Sequence, residues 1–313
     1  VTPRATTAAV FVTDERGRDL ARFSVASFAL TQGWPCDIHL ACDGFALPSD
    51  DPLRALCAER GIAFHTPALS SSGYAGLKSA AHISAAQFLK FAAVAPLTGR
   101  YRRVLYSDTD FLFLRDMPAH EVDLGGQPLG ACFDVAEAGA ITDPAFVRNC
   151  RAHGRSPLYF NSGLMLFDAE ALDMEELRAP YEAAIQAHQA RCDYKAVCRT
   201  NDQCVWNMLF EGRWHVLPGG WNVQSSMRFT KPWREARARH YTGPKKFTDP
   251  KPWRSDGIEY RAVARIAALI GPPGRAGGPP FDAIYRANGL RFLRQRARIL
   301  RAAADLGARS TAI

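Results

Sequence analysis

In the segment Tyr101-Arg-Arg-Val-Leu-Tyr-Ser-Asp-Thr-Asp-Phe-Leu-Phe-Leu114, one apolar run ends in two carboxylates, Asp108 and Asp110, and a second apolar run follows. In extended backbone, residues i and i+2 point to the same side, so both aspartates can meet at one point just past a buried strand. Two like charges held that close repel, and each carboxyl is pushed toward protonation unless a cation lies between them. A divalent metal bound by hard oxygen ligands relieves the conflict and keeps positions open for substrate phosphates. Asp-x-Asp also occurs in solvated loops, so the rest of the chain must decide.

The elements needed to position this pair are legible. Ala8 to Thr13 reads as a buried strand, followed by a helical pattern through Leu20 to Leu30. Asp37 to Cys42 reads as a second strand, Asp51 to Arg60 as a helix, and Gly61 to His65 as a third strand. Ser79 to Leu97 is expected to be one long helix leading into a fourth strand that ends at Asp108. Such alternation predicts an α/β fold with a Rossmann-like, mostly parallel central sheet and helices on both faces. Ligands gather at the carboxyl ends of strands in such sheets, which puts Asp14 and Asp108 on one rim. Further on, Leu129 to Asp134 and Leu158 to Phe167 look like strands, and Glu170 to His188 and Asp202 to Phe210 like helices. Asp134 to Arg155 and Gly219 to Trp233 read as irregular loops, with Trp221 and Trp233 suited either to stacking on a sugar or to filling a core.

Four blocks occur in order: Asp108-Thr-Asp110, Phe160-Asn-Ser-Gly-Leu-Met-Leu-Phe-Asp168, Asn201-Asp-Gln-Cys-Val-Trp-Asn207 and His240-Tyr-Thr-Gly-Pro-Lys-Lys246. Together they resemble the retaining glycosyltransferases of family 8, which include bacterial lipopolysaccharide galactosyl- and glucosyltransferases and glycogenin. The resemblance implies a GT-A fold and transfer of a hexose, galactose or glucose, from a UDP-sugar to a hydroxyl of a bacterial surface glycan. It implies Mn2+ (or Mg2+) on Asp108, Asp110 and His240. Gly243 would let the backbone approach the diphosphate, and Lys246 would place a point charge on it. The family's commoner Lys-Pro-Trp ending is displaced here to Lys251-Pro-Trp253, so Lys245 and Lys251 compete with Lys246 for that contact. Val12, Thr13 and Asp14 align with residues that hold uridine, and Thr109 with the donor site. Lys90 stands where relatives usually have arginine, near donor sugar and phosphate; read alone, it is a solvated helix lysine. Asp134, Asn161 and Ser162 match positions on the donor sugar hydroxyls. Asp202 and Gln203 match a pair lying against the anomeric carbon. An amide is a feeble nucleophile, whereas double displacement wants a carboxylate. Gln203 therefore suggests front-side substitution, with Asp202 left for a covalent or an electrostatic role. Two other classes compete: a UDP-sugar-binding protein without turnover, and an Asp-x-Asp phosphotransferase, in which the pair would follow the first strand.

At 47% hydrophobic and 22% charged residues, the 313-residue chain has the composition of a globular protein, which excludes a disordered one. It has no apolar run long enough to span a bilayer, and Val1-Thr-Pro-Arg-Ala-Thr-Thr7 lacks a signal-peptide core. A cytoplasmic protein is expected. The eight cysteines do not form a disulfide pattern, and Cys192, Cys198 and Cys204, six residues apart, fit no common zinc spacing. Reduced core thiols are expected. Eleven arginines, no lysine and four acids after residue 253 give that segment a net +7 of the chain's +8. We therefore divide the chain into a catalytic region, 1–253 (nucleotide-binding half 1–115, acceptor half 116–253), and a basic tail, 254–313. The tail contains a Gly/Pro-rich linker at 270–280 and an amphipathic basic helix at 287–306. That helix suits either peripheral contact with an anionic membrane or docking on its own domain; no nucleic-acid recognition fold accompanies it.

Overall fold

The burial pattern of strand β1 (Thr7–Asp14) sets the layering of the molecule in this computed structural model. The structure describes residues 6–77, 84–135, 144–194, 202–228, 230–243, 245–248 and 256–273. Successive side chains of a strand point to opposite faces, and β1 is apolar on both. Ala9 and Phe11 pack with Ile38 and Leu40 of β2 (Asp37–Asp43), Phe23 and Phe28 of α1 (Arg18–Thr31), and Leu53 of α2 (Pro52–Glu59). Ala8, Val10 and Val12 belong to the opposite cluster, which includes Phe91 and Val94 of α3 (Lys90–Val94). A strand buried on both sides must lie between two layers of helices.

The central sheet runs β3-β2-β1-β5-β8-β7-β9, with β4 also paired to β2. β3 is Phe64–His65, β4 Ala68–Leu69, β5 Arg103–Ser107, β7 Leu129–Phe133, β8 Phe160–Asp168 and β9 His215–Val216. Pairing is parallel from β3 through β5 and between β7 and β9. β8 alone runs antiparallel to both its neighbours. Its first residues therefore lie beside the last residues of β5, with Leu164 opposite Ser107. A small second sheet joins β6 (Phe111–Phe113), β10 (Val223–Gln224) and β11 (Ala238–His240) in the order β10-β11-β6.

Several boundaries differ from expectation. The third strand is two short ones, so Asp108 follows the fifth strand. The expected long helix is broken into 3-10 turns, Ala85–Leu89 and Ala95–Leu97, flanking the short α3. Pro96 contributes to that break, since it has no N–H to donate and crowds the preceding turn. Residues 134–155 are not all loop: they contain α4 (Pro144–Ala152). The helix expected from Glu170 begins only at Arg178, as α5 (Arg178–Ala190). Before it, the Asp168 and Asp173 side chains accept from the amides of Ala171 and Glu175 and hold turns. α6 (Gln203–Leu209) appears as expected, while α7 (Lys231–Glu235) begins within a segment expected to be irregular.

The segment assigned by sequence to the start of the tail is α8 (Gly257–Ile270), and it is integral to the core. Ile266 and Ile270 join the cluster of α1 and α2, and Arg22 Nη2 donates to the Ile270 carbonyl at 2.9 Å. Trp221 and Trp233 are 3% and 2% exposed in the same cluster, so they fill the core and present no face to a sugar. The basic helix at 287–306 and most of the linker lie outside the described residues. None of the seven described cysteines is in a disulfide. Among the described residues no helix is long and apolar enough to cross a membrane.

Candidate active site

The strand order explains why distant residues meet. β5 delivers Asp108, whose amide donates to the Gly163 carbonyl of β8 at 2.8 Å. Across the second sheet, β11 pairs antiparallel with β6 and sets His240 opposite Phe111. Tyr241 N donates to the Asp110 carbonyl at 2.9 Å, and the Phe111 ring stacks on His240 at 4.2 Å. One ligand atom from each of Asp108, Asp110 and His240 lies within 4.8 Å of the other two. Around them is a cleft of about 470 Å³. Val12, Thr13, Asp14, Lys90, Asp108, Thr109, Asp110, Asn161, Ser162, Asp202, Gln203, His240, Gly243 and Lys246 all line it. Asp134 is the exception among the site residues named from sequence: it is fully buried behind this wall. Lys251 lies outside the described residues.

One wall is ionic. Lys90 is only 2% exposed, which overturns the solvated-lysine reading. Its Nζ lies 3.0 Å from Asp108 Oδ1 and 2.9 Å from Asp202 Oδ2, and it donates to the Ser162 carbonyl at 3.2 Å. Burial alone would pull this lysine's pKa down, but the two carboxylates outweigh it and raise the pKa, so Lys90 stays a cation. Tyr106 donates its hydroxyl to Asp108 Oδ1 at 2.8 Å. Lys246 Nζ sits 2.5 Å from Asp110 Oδ2 and also donates to the Tyr241 carbonyl at 2.9 Å. Burial works against ionised Asp110, yet the Lys246 ammonium foremost opposes it, and the carboxyl is held well below the usual carboxylate range.

The other wall is a chain of amides with a fixed direction. The Asp134 carboxyl starts the chain as an acceptor. Its Oδ2 accepts from Asn161 Nδ2 and from Gln203 Nε2, each at 3.0 Å. This turns Asn161 Oδ1 the other way, where it accepts from Gly163 N at 3.0 Å and from Asn222 Nδ2 at 2.9 Å. Asn222 Oδ1 then faces His240 Nδ1 at 3.0 Å, and that nitrogen must carry the proton. His240 Nε2 is left with its lone pair toward the cleft. It lies 3.1 Å from Asp110 Oδ1, a buried oxygen with no hydrogen-bond partner. Two acceptors so close need a proton or a cation between them. This donor set, two carboxylates and an imidazole with its second nitrogen tied down, therefore fits a divalent metal. Gly163 forms the floor, because a Cβ there would stand 2.4 Å from His240 Cε1 and 2.9 Å from Asn161 Oδ1.

At the cleft's far end, Asp14 Oδ1 accepts from Gly17 N at 2.9 Å and caps the 3-10 turn Glu15–Gly17. A Cβ on Gly17 would stand 2.6 Å from Thr13 Oγ1, so the glycine permits this tight entry into α1. Sequence reasoning missed Asn222 and the floor role of Gly163. Gly163 lay in a block already singled out, between Ser162 and Leu164, whereas no local pattern marks Asn222 as a partner for a histidine eighteen residues on.

The model of glycosyl transferase family 8 matches residues 56–257. A comparison with curated proteins gave no match. Among solved structures, galactosyltransferase LgtC in complex with donor and acceptor sugar analogs is similar at 21% identity and a TM-score of 0.60, covering 90% of this chain and 99% of that one. The bifunctional glycosyltransferase WbbM is similar at 18% identity and a TM-score of 0.66, over 86% of this chain and 50% of its own length. The glycosyltransferase GlyE of Streptococcus pneumoniae TIGR4 follows at 17% identity and a TM-score of 0.54, with 87% of this chain and 66% of that one covered.

Proposed function

Since the chain belongs to glycosyl transferase family 8, we propose that it is a retaining hexosyltransferase, moving galactose or glucose from UDP to a hydroxyl of a bacterial surface glycan such as lipopolysaccharide. The observation that carries this reading is the convergence of Asp108, Asp110 and His240 within 4.8 Å at one cleft that also holds Lys90, Lys246, Asp202 and Gln203. Solved LgtC, a galactosyltransferase held with donor and acceptor sugar analogs, is consistent with a cleft that takes both.

Asp108, Asp110 and His240 would hold Mn2+ or Mg2+, which when bound offsets charge on the diphosphate leaving group. Lys246 reaches the same phosphates as a point charge, and Gly243, at φ +84°, carries the loop close to them. Val12, Thr13 and Asp14 take the uridine end. Asn161, Ser162 and Gln203 face the sugar. Asp134 acts from behind, fixing the two amides that touch the donor rather than touching it. Gln203 is committed at both ends, since Oε1 accepts from Asn161 Nδ2 at 3.0 Å and Nε2 donates to Asp134. A neutral amide so held orients a sugar and does not attack it. Asp202 is paired with Lys90 in a buried site, which favours electrostatic support over nucleophilic attack. The step that follows is front-side substitution. The bond from the anomeric carbon to the phosphate oxygen breaks, the acceptor oxygen bonds to the same face, and its proton passes to the departing phosphate oxygen.

The test is hydrolysis and transfer with a panel of UDP-sugars, with and without Mn2+, on the wild type and Asp110→Ala. Metal-dependent turnover of one UDP-hexose, lost in the variant and yielding an α-linked product by NMR, is the expected result. Failure of every UDP-sugar to bind at millimolar concentration with Mn2+ present would refute it.

A further inference from the structure

We propose a second metal site, outside the cleft: His188, Cys192 and Cys204 bind a thiophilic dication, Zn2+. His188 lies in the last turn of α5, Cys192 just beyond that helix, and Cys204 in the first turn of α6. One ligand atom from each lies within 4.8 Å of the other two. Tetrahedral zinc with sulfur at about 2.3 Å and nitrogen at about 2.0 Å separates such ligand atoms by roughly 3.5–3.8 Å. The change needed is at most about 1 Å, within reach of small side-chain rotations.

The surroundings argue for a built site. The Cys192 turn is anchored by Asn149 Nδ2, which donates to the Asp193 carbonyl, and by Arg155 Nε, which donates to Asp193 Oδ2, both at 2.9 Å. The next residue, Tyr194, is buried against Tyr159 and Phe146. The Tyr159 hydroxyl lies 3.1 Å from Cys204 Sγ, placed to donate to a thiolate. Two thiols and an imidazole without a carboxylate select a soft or borderline ion over Mg2+ or Mn2+. His188 is 3% exposed and Cys204 fully buried, while half-buried Cys192 leaves a side from which water can complete the coordination. The cysteine spacing alone fits no zinc pattern because the histidine comes from the helix before it. Such an ion would fasten the end of α5 to the first turn of α6, where Gln203 stands.

Cobalt titration of the purified, reduced full-length chain tests this independently of any transferase activity. Thiolate–cobalt charge-transfer absorption saturating at one equivalent, and displaced by Zn2+, is expected. It should persist in Asp110→Ala and fall away in Cys204→Ser and Cys192→Ser, with Zn2+ affinity dropping by more than the roughly 10–100-fold typical of losing a mere outer-shell partner. Cys192→Ser, at the more exposed position, keeps the test open if the buried variant misfolds. A reduced wild type without thiolate absorption, or absorption unchanged in both serine variants, would overturn the proposal.

Discussion

The two walls of the cleft are built on different principles. On one side Lys90, Lys246 and three aspartates are joined by ion pairs, whose strength depends on distance and little on direction. On the other, Asp134, Asn161, Gln203, Asn222 and His240 are joined by hydrogen bonds whose donors and acceptors follow one from another. Ion pairs can exchange partners when a charged ligand arrives. The amide chain has one consistent orientation, and reversing any member leaves a donor facing a donor or an acceptor facing an acceptor in a buried place, a cost of about 1–3 kcal/mol. The cleft thus joins an adaptable wall to a rigid one, and His240 stands where they meet.

Substitutions can break this contrast in graded steps. Asp110→Ala removes a proposed metal ligand that the ionic wall cannot replace, and turnover is expected to drop on the order of 10³-fold, the upper end for loss of one charge-stabilising group; steady-state assays with Mn2+ check it. Gly163→Ala pushes a methyl group into His240 Cε1 and Asn161 Oδ1, and misplacement of this kind costs about 10²-fold. A variant with undiminished kcat would show that the floor can give. Asp134→Asn preserves shape but lets the amide chain reverse. Mn2+ affinity measured by calorimetry is expected to fall about 10–100-fold, as for other outer-shell changes, although Asp134 does not line the cleft. Lys90→Arg probes the adaptable wall: charge survives while geometry changes, and kcat/KM should stay within about tenfold of wild type. If Lys90→Arg proved more damaging than Asp134→Asn, the contrast would fail.

Much of the ionic wall was legible in the chain, because the i, i+2 spacing of Asp108 and Asp110 at the end of an apolar strand already states a conflict of charges. The alternation of strands and helices up to Asp108 was likewise readable, since burial on both faces leaves near-continuous apolar runs. The rigid wall was less so. Asn161 and Gln203 could be named, but Asn222 could not, because its partner His240 is supplied by strand pairing between β10 and β11 and not by sequence neighbours. Asp134 was placed on the sugar, yet it lies one layer deeper, a distinction of depth that residue type does not encode. The same limit hid α8 within the presumed tail: its arginines advertise a solvated face, while Ile266 and Ile270 decide where it packs.

One contact has a further thermodynamic consequence. Lys246 pairs with Asp110, so an arriving dication must compete with an ammonium tethered to the same protein. A nucleotide diphosphate offers that ammonium another partner and lowers the competition. Cation and nucleotide are therefore expected to bind with positive cooperativity, each raising the other's affinity by the same factor. Neutralising the side chain with Lys246→Met should abolish that synergy and tighten binding of Mn2+ alone, an outcome opposite in sign to that expected of Asp134→Asn.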